Sequence, residues 1–318
     1  MSSSQDSPRV AVVFPGQGSQ YPGMADPWTS HQVSAAALDE ASDLFGFDVV
    51  EAGRDDSQLD RTDVAQPVVF ACDVAAWRVV ESTGLRPVAV AGHSLGEFAA
   101  LVAAGALSFA DASSVVLERS RAMAEACRAE PGAMSALVGL SVEEATEVCQ
   151  IAGRGGVLVV ANENGPKQTV VSGSAAAIEL AETLARDRGA RPVRLRVEGA
   201  FHSPLMRPAL DAVRAAIAAA PMSGATETNM IPNASGRPER RGPALRDLLT
   251  RQLLAPVRWD RSMRSLGEIG IDLLLEAGPG DVLAKLARRS IPTARPVSLG
   301  TPGEILAFAE SLREGVLR

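Results

Sequence analysis

The sequence predicts an α/β protein in which a parallel sheet is crossed by helices and a smaller antiparallel domain is inserted. Two short apolar runs, at residues 10–14 and 88–91, are bounded by Pro and Gly and are typical of fully buried parallel strands. Ala-rich helical patterns near residues 30–45 and 64–83 lie between these runs. This alternation of strands and helices indicates crossover connections.

The middle of the chain is predicted to have a different order of strands and helices. Ser108 and Asp111 form an S-x-x-D start for a helix that runs to about Cys127. The segments that follow are predicted as strands at 133–139, 157–161, 168–172 and 191–197, with helices at 141–152 and 174–187. Their β-α-β-β-α-β order is that of the ferredoxin-like motif.

The domain organisation follows from these elements. We expect a ferredoxin-like domain over residues 131–198, inserted into a catalytic core formed by residues 1–130 and 199–318. Beyond His202 the sequence predicts helix and then an irregular Gly/Pro/Arg-rich stretch. The remaining predicted segments are an irregular stretch at 233–243, a helix near 244–254 and a short strand at 273–275.

Composition excludes several classes of function. The chain has a net charge of -7 and only 8 Phe, 3 Trp and 1 Tyr, which disfavours nucleic-acid binding. Cys72, Cys127 and Cys149 form no C-x-x-C pair, so neither a disulfide framework nor a zinc site is expected. The polar N-terminus, MSSSQDSPR, has no secretory signal pattern, and no apolar stretch is long enough to span a membrane. We therefore expect a cytoplasmic protein.

The strongest local signal is the G-x-S-x-G sequence at residues 92–96. It follows a predicted buried strand and precedes a predicted helix, which is the context of a nucleophile elbow. The two glycines permit a sharp turn that exposes the hydroxyl of Ser94 above the sheet. The backbone amide of Leu95, in the first turn of the helix, is then directed to where an oxyanion would form.

A nucleophilic serine needs a base, and the sequence offers three histidines. His31 lies in a polar helix start and is expected at the solvated surface, whereas His93 lies within the elbow and is expected to pack or line the site. His202 follows a predicted strand in a loop, a position suited to catalysis, and we favour it as the base. Neither Asp111 nor Asp187 occupies a strand-end loop, so a backbone carbonyl must be considered as the group that orients the histidine.

Four segments together resemble the malonyl-CoA:acyl-carrier-protein transacylases and the polyketide-synthase acyltransferases. They are FPGQGSQ at 14–20, GHSLGEF at 92–98, GAFHSPLM at 199–206 and EAGPG at 276–280, in the order of that family and across almost the entire chain. The resemblance implies an α/β-hydrolase-like core with an inserted ferredoxin-like subdomain. It also implies transfer of a malonyl group from CoA to the phosphopantetheine thiol of an acyl carrier protein, with no metal or redox cofactor.

The resemblance assigns roles residue by residue. It makes Ser94 the acylated nucleophile and His202 its base, with the backbone amides of Gln17 and Leu95 forming the oxyanion hole. Gln252 falls where the family uses a main-chain carbonyl to orient the histidine, which would explain the missing Asp.

Three further residues are expected to bind substrate. Arg119, on the helix after the elbow, would hold the malonyl carboxylate, because the planar guanidinium meets a carboxylate in a bidentate manner. Arg121 is expected to be solvated. Gln66 resembles a family position that lines the acyl pocket, although a polar residue near a helix start explains it equally well. Phe201 is the bulky version of a position at which the family distinguishes malonyl from methylmalonyl groups.

Alternatives to malonyl transfer remain open at this stage. The same Ser and His would serve an acyl-thioester hydrolase, which has little need of Arg119. A transferase that moves an unusual acyl group between two carrier proteins would share every motif, and a non-enzymatic scaffold for carrier proteins is disfavoured by the complete catalytic set. An acidic carrier would need a local basic patch on this net-negative chain, and the candidates are Arg186, Arg188, Arg191, Arg194, Arg196, Arg288 and Arg289.

Overall fold

The computed structural model describes residues 8–316. The first seven residues, on which the expected absence of a secretory signal largely rests, lie outside the described residues. Within residues 8–316 the strands are β1 Val10–Phe14, β2 Ala89–Gly92, β3 Ala133–Val138, β4 Leu158–Gly165, β5 Gln168–Gly173, β6 Arg191–Arg194, β7 Ala225–Ile231, β8 Glu239–Arg241, β9 Leu273–Ala277 and β10 Arg295–Leu299.

Helices connect and cover these strands. In the same part of the chain the α-helices are α1 Gln32–Phe45, α2 Val49–Ala52, α3 Asp56–Leu59, α4 Thr62–Ser82, α5 Gly96–Ala103, α6 Phe109–Ala129, α7 Val142–Ala152, α8 Ala175–Asp187, α9 Leu210–Ala219, α10 Gly242–Gln252, α11 Trp259–Ile269, α12 Val282–Ser290 and α13 Pro302–Arg313. Short 3₁₀ helices cover Asp26–Ser30, Gly153–Gly155 and Pro204–Ala209.

The larger sheet has six strands in the order β10-β9-β1-β2-β7-β8. All neighbouring pairs are parallel except β7 and β8, which are antiparallel. The central strand β1 is buried on both faces. Val12 and Phe14 join the core cluster that contains side chains of α4 and α6, whereas Ala11 and Val13 join the cluster around Trp259. This burial explains why β1 is a continuous apolar run.

The smaller sheet has four antiparallel strands in the order β4-β5-β3-β6. Its elements follow one another along the chain as β3-α7-β4-β5-α8-β6, which confirms the predicted sequence of strands and helices. A third hydrophobic cluster, with Leu137 and Val171 from the sheet and Ile178 from α8, forms its core. Asn162 of β4 also forms a parallel bridge with Val257, which lies between α10 and α11.

The helix starts follow the predicted capping chemistry. The hydroxyl of Ser108 accepts a hydrogen bond from the Asp111 amide at 3.0 Å at the start of α6. Ser141 and Glu144 form a complete capping box at the start of α7. These caps satisfy amides that would otherwise have no partner within the helix.

Four predictions of strands need correction. β8 lies in the stretch predicted to be irregular, and β7 and β10 were not predicted as strands at all. β7 reads ATETNMI and mixes polar with apolar residues, and β8 and β10 are edge strands, so these three lack the apolar runs of central strands. The strand predicted at 191–197 ends at Arg194, and the side chain of Arg196 beyond it forms ion pairs with Asp56 and Asp60.

No helix within residues 8–316 combines the length and the apolar character needed to cross a membrane.

Candidate active site

The turn between β2 and α5 is as sharp as a nucleophile elbow requires. Ser94 lies at its apex with a left-handed φ of 51°, which is uncommon for any residue other than glycine. A Cβ on Gly92 would lie 1.9 Å from the carbonyl oxygen of Gly96, and one on Gly96 would lie 2.2 Å from the carbonyl oxygen of Phe14. Both positions therefore exclude any larger residue, and the strain is concentrated at Ser94.

Ser94 and His202 form a hydrogen-bonded pair. The distance from Ser94 Oγ to His202 Nε2 is 2.7 Å, although 108 residues separate the two. His202 Nδ1 lies 3.0 Å from the carbonyl oxygen of Gln252 and 3.1 Å from that of Ala255. Because both of these groups only accept hydrogen bonds, Nδ1 carries the proton and Nε2 accepts from the Ser94 hydroxyl. The carbonyl predicted at Gln252 is present, and Ala255 adds a second.

The environment of His202 keeps the imidazole neutral. Its side chain is buried, and burial, reinforced by the positive charge of Arg119, lowers its pKa from the ordinary value of 6.5 to about 3. The two carbonyl groups at Nδ1 act in the opposite direction but do not outweigh burial. A neutral imidazole is the form that accepts a proton from a serine hydroxyl.

Arg119 reaches the nucleophile from α6. Its side chain is only 2% exposed, and its NH2 group lies 3.3 Å from Ser94 Oγ. It also donates to Gln66 Oε1 at 2.5 Å and to Gln252 Oε1 at 3.4 Å. Burial lowers the pKa of Arg119 to about 10, so the guanidinium remains charged at neutral pH. Arg121, on the exposed side of the same helix, is solvated as predicted.

No carboxylate balances this buried charge directly. Among the ion pairs within the described part of the chain, none includes Arg119. Every hydrogen bond that it donates there goes to a neutral oxygen, of an amide or a hydroxyl. A buried cation that contacts only neutral oxygens, next to a nucleophile, is well suited to bind the carboxylate of a substrate.

The structure places the predicted oxyanion groups close together. Leu95 is the residue before α5, so its amide belongs to the positive end of that helix. A Cβ on Gly16 would lie 2.2 Å from the His93 carbonyl oxygen and 3.5 Å from the Leu95 nitrogen, which puts the loop before Gln17 against the elbow. In residues 8–316 neither the Leu95 nor the Gln17 backbone amide has a hydrogen-bond partner.

Asn233 is a site residue that sequence reasoning missed. Its Oδ1 accepts from the Ser94 amide at 2.6 Å, and its Nδ2 donates to the Gly92 carbonyl at 2.6 Å, so it holds both sides of the elbow. Asn233 follows β7, which pairs with β2 in parallel. The carboxyl ends of parallel strands meet at one edge of a sheet, so a polar residue after β7 would be expected near the elbow after β2. The sequence pattern does not predict β7 as a strand, and Asn233 was therefore not identified.

The remaining candidates lie outside the catalytic pair. His93 Nε2 lies 2.9 Å from Asn164 Oδ1 and its ring packs edge-on against Trp259, which agrees with the predicted packing role. His31 is half-buried before α1 rather than solvated. The 3₁₀ helix that precedes it is tied to α1 by a 2.6 Å hydrogen bond from the Ser34 hydroxyl to the Trp28 carbonyl. Asp111 takes part in the start of α6 and Asp187 ends α8, so neither contacts His202.

A cleft of about 240 Å³ opens beside the elbow, between the two sheets. Its lining includes Gln17, His93, Asn162, Gln168, Leu195 and Leu286. Gln66 and Phe201 are both buried, and Gln66 contacts Arg119. The cleft therefore gives access to the loop that carries the oxyanion groups.

The arginines proposed for carrier docking are not all free. Arg194 forms a 2.7 Å ion pair with Glu182, to which Arg186 also lies close at 3.7 Å. Arg196 bridges Asp56 and Asp60. The positive charge of these three side chains is thus largely balanced within the chain, and the predicted basic patch reduces to Arg188, Arg191, Arg288 and Arg289.

Known proteins resemble this chain over nearly its full length. The model of the acyl transferase domain matches residues 11–300. The malonyl CoA-acyl carrier protein transacylase of Escherichia coli K12 is 36% identical over 95% of this chain and 99% of its own length. The protein of the same name from Bacillus subtilis 168 is 35% identical over 96% of this chain and 98% of its own length.

Solved structures agree with this likeness. The malonyl CoA-acyl carrier protein transacylase of Coxiella burnetii superposes with a TM-score of 0.91 at 35% identity and covers 96% of this chain and 98% of its own. A malonyl-transacylase solved in complex with a type II PKS acyl-carrier protein superposes with a TM-score of 0.90 at 34% identity. The match covers 95% of this chain and 99% of the other.

Proposed function

Because this chain belongs to the acyl transferase family, we propose that it transfers a malonyl group from CoA to the phosphopantetheine thiol of an acyl carrier protein. The observation that carries the proposal is the buried Arg119 guanidinium, which lies 3.3 Å from Ser94 Oγ and contacts no carboxylate of residues 8–316 directly. A carboxylate at the end of a short acyl chain would reach this cation while its thioester carbon lies at Ser94.

The first half of the reaction acylates the enzyme. Ser94 gives its proton to His202 Nε2 as Oγ forms a bond to the thioester carbonyl carbon. The amides of Leu95 and Gln17 stabilise the negative oxygen of the tetrahedral intermediate. When the carbon–sulfur bond breaks, CoA leaves as a thiol with the proton from His202, and malonyl-Ser94 remains.

The second half repeats these steps with the carrier protein. Its phosphopantetheine thiol gives a proton to His202 and attacks the malonyl ester, and the proton returns to Ser94 Oγ as the ester bond breaks. His202 takes up and returns the proton in each half, and we propose that no metal or redox cofactor takes part. The mechanism needs one base that is neutral at the start of each half, which the low pKa of His202 supplies.

The fold supports a finer description. We assign residues 1–130 and 199–318 to an α/β-hydrolase-like core and residues 131–198 to a ferredoxin-like subdomain. The elbow after β2 supports the first assignment, and the strand order β4-β5-β3-β6 with two helices supports the second. A cytoplasmic location agrees with three buried cysteines that carry free thiols.

One experiment tests the function and its alternatives. Radiolabelled malonyl-CoA is incubated with the protein, with and without a phosphopantetheinylated carrier protein, in competition with methylmalonyl-CoA. We expect label on the protein in the absence of the carrier, and malonyl on the carrier in its presence. Rapid release of free malonate would indicate a hydrolase, and a protein that accepts acyl groups only from a second loaded carrier would indicate carrier-to-carrier transfer. Preferential methylmalonyl transfer would contradict the steric role of the buried Phe201.

A further inference from the structure

Glu97 is a buried carboxylate that the proposed mechanism does not use. It lies in the first turn of α5, directly after the elbow, and is 1% exposed. Its Oε2 accepts hydrogen bonds from Gln252 Nε2 at 2.8 Å and from the Asn233 amide at 3.2 Å. A carboxylate in this position needs a compensating charge, since burying an unpaired charge is strongly unfavourable.

Arg119 is the cation whose charge acts on Glu97, and the side-chain amide of Gln252 lies between the two. Gln252 Oε1 accepts from Arg119 NH2 at 3.4 Å, while Gln252 Nε2 donates to Glu97. The amide dipole is therefore aligned from the cation to the anion, an arrangement in which each hydrogen bond strengthens the other. Glu97 and Arg119 balance each other electrically without direct contact.

We propose that Glu97 is a specificity-determining counter-charge for Arg119, held one amide away by Gln252 so that the guanidinium remains available to the substrate carboxylate. The inference rests on the proposed malonyl transfer. It concerns how strongly the pocket prefers a charged acyl group, and not whether the acyl group is transferred.

The separation has a physical consequence. A carboxylate in direct bidentate contact would occupy the donors of Arg119 and compete with the substrate. At one amide's distance, Glu97 instead lowers the electrostatic potential that the substrate carboxylate experiences, while it still offsets the burial of the cation. Binding of the substrate carboxylate and ionisation of Glu97 are then coupled and oppose each other.

Removal of the Glu97 charge should increase selectivity for malonyl. Glu97→Gln keeps the shape of the side chain and an oxygen that accepts hydrogen bonds. We expect the ratio of acylation efficiency, malonyl-CoA over acetyl-CoA, to rise about 5-fold or more at pH 8. The ratio is measured as acyl-enzyme formed on the intact protein at substrate concentrations well below saturation. A merely structural Glu97 would slow both substrates alike and leave the ratio unchanged.

Glu276→Gln is the matched control. Glu276 is also fully buried and accepts from the Leu283 and Ala284 amides, far along the chain from Arg119. We expect the malonyl-to-acetyl ratio of this variant to equal that of the parent protein. An unchanged or lower ratio in Glu97→Gln would overturn the inference, as would an equal rise in the control.

The parent protein provides a second measurement that does not depend on the folding of a variant. Burial raises the pKa of Glu97 to about 7, whereas His202 and His93 have lowered pKa values and Arg119 remains charged. Glu97 therefore loses its proton between pH 6 and pH 8, and the malonyl-to-acetyl ratio should fall by a similar factor. A flat ratio overturns the inference. If the parent forms an acetyl adduct but no malonyl adduct, the proposed function itself is wrong.

Discussion

The two halves of the site are held in different ways. Ser94 and His202 both have left-handed backbone angles, with φ of 51° and 57°, and two backbone carbonyls orient the histidine. The guanidinium of Arg119, in contrast, donates within the described residues only to side chains, namely those of Gln66, Ser94 and Gln252. The proposed catalytic pair thus depends on the path of the chain, whereas the proposed carboxylate pocket depends on which side chains are present.

This difference indicates what each half can tolerate. The turn that positions Ser94 cannot adjust to a replaced residue, because glycines within it, such as Gly92, have no room for a Cβ. Side-chain contacts can be exchanged one at a time. We therefore expect substitutions in the catalytic half to abolish transfer, and substitutions in the pocket half to change which acyl group is transferred.

The largest effect should come from Ser94→Ala. The variant removes the only hydroxyl in the elbow that contacts His202, so malonyl-enzyme formation should fall by at least about 10⁴-fold. Intact-protein mass spectrometry after incubation with malonyl-CoA measures the adduct. Ser174→Ala, at the N-cap of α8, is the control, and this variant should still form the malonyl adduct. A malonyl adduct that persists on Ser94→Ala would place the nucleophile elsewhere.

A selective effect should come from Arg119→Ala. It removes the proposed partner of the malonyl carboxylate, a group that acetyl lacks, and loss of one partner of a buried charge pair lowers affinity by roughly 30-fold or more. Acylation by malonyl-CoA should fall by that factor while acylation by acetyl-CoA is largely retained. Arg121→Ala, an exposed arginine on the same helix, should change neither. Equal losses for the two acyl groups would show that Arg119 is structural.

The same contrast explains what could be predicted from the sequence. Ser94 was accessible because the elbow is a local pattern of glycines between a strand and a helix. His202 was accessible because only three histidines exist and one follows a strand. The carbonyl of Gln252 and the pocket position of Arg119 were obtained from the resemblance to a family, and the structure places both within reach of the catalytic pair.

The supporting contacts were not accessible in this way. Asn233 and Glu97 are 136 residues apart, and Glu97 and Gln252 are 155 apart, so no local spacing links them. Asn233 reaches the site from the end of β7, a strand whose mixture of polar and apolar residues gives no apolar run in the sequence. Long-range hydrogen bonds among such buried groups leave no periodic pattern in the sequence. Asn233 follows a strand, Glu97 lies in the first turn of a helix and Gln252 is the last residue of a helix.

The smallest expected effect is that of pH on acylation, which tests whether burial keeps the His202 imidazole unprotonated. With acetyl-CoA, whose acyl group has no charge to interact with Arg119, the acylation rate should change less than about 2-fold between pH 8 and pH 5. The pKa of His202 is lowered to about 3, so the imidazole remains unprotonated and active over this whole range. With a solvated histidine, whose pKa lies near 6.5, the imidazole would instead be almost fully protonated at pH 5 and the acylation rate would fall roughly 30-fold.

Single-turnover acylation, followed as the amount of adduct against time at each pH, measures the rate. Far-UV circular dichroism at pH 5 checks that the protein is folded. A sigmoidal loss with a midpoint near pH 6.5 would mean that water reaches His202, and that its environment is less closed than the two backbone carbonyls and the neighbouring cation indicate.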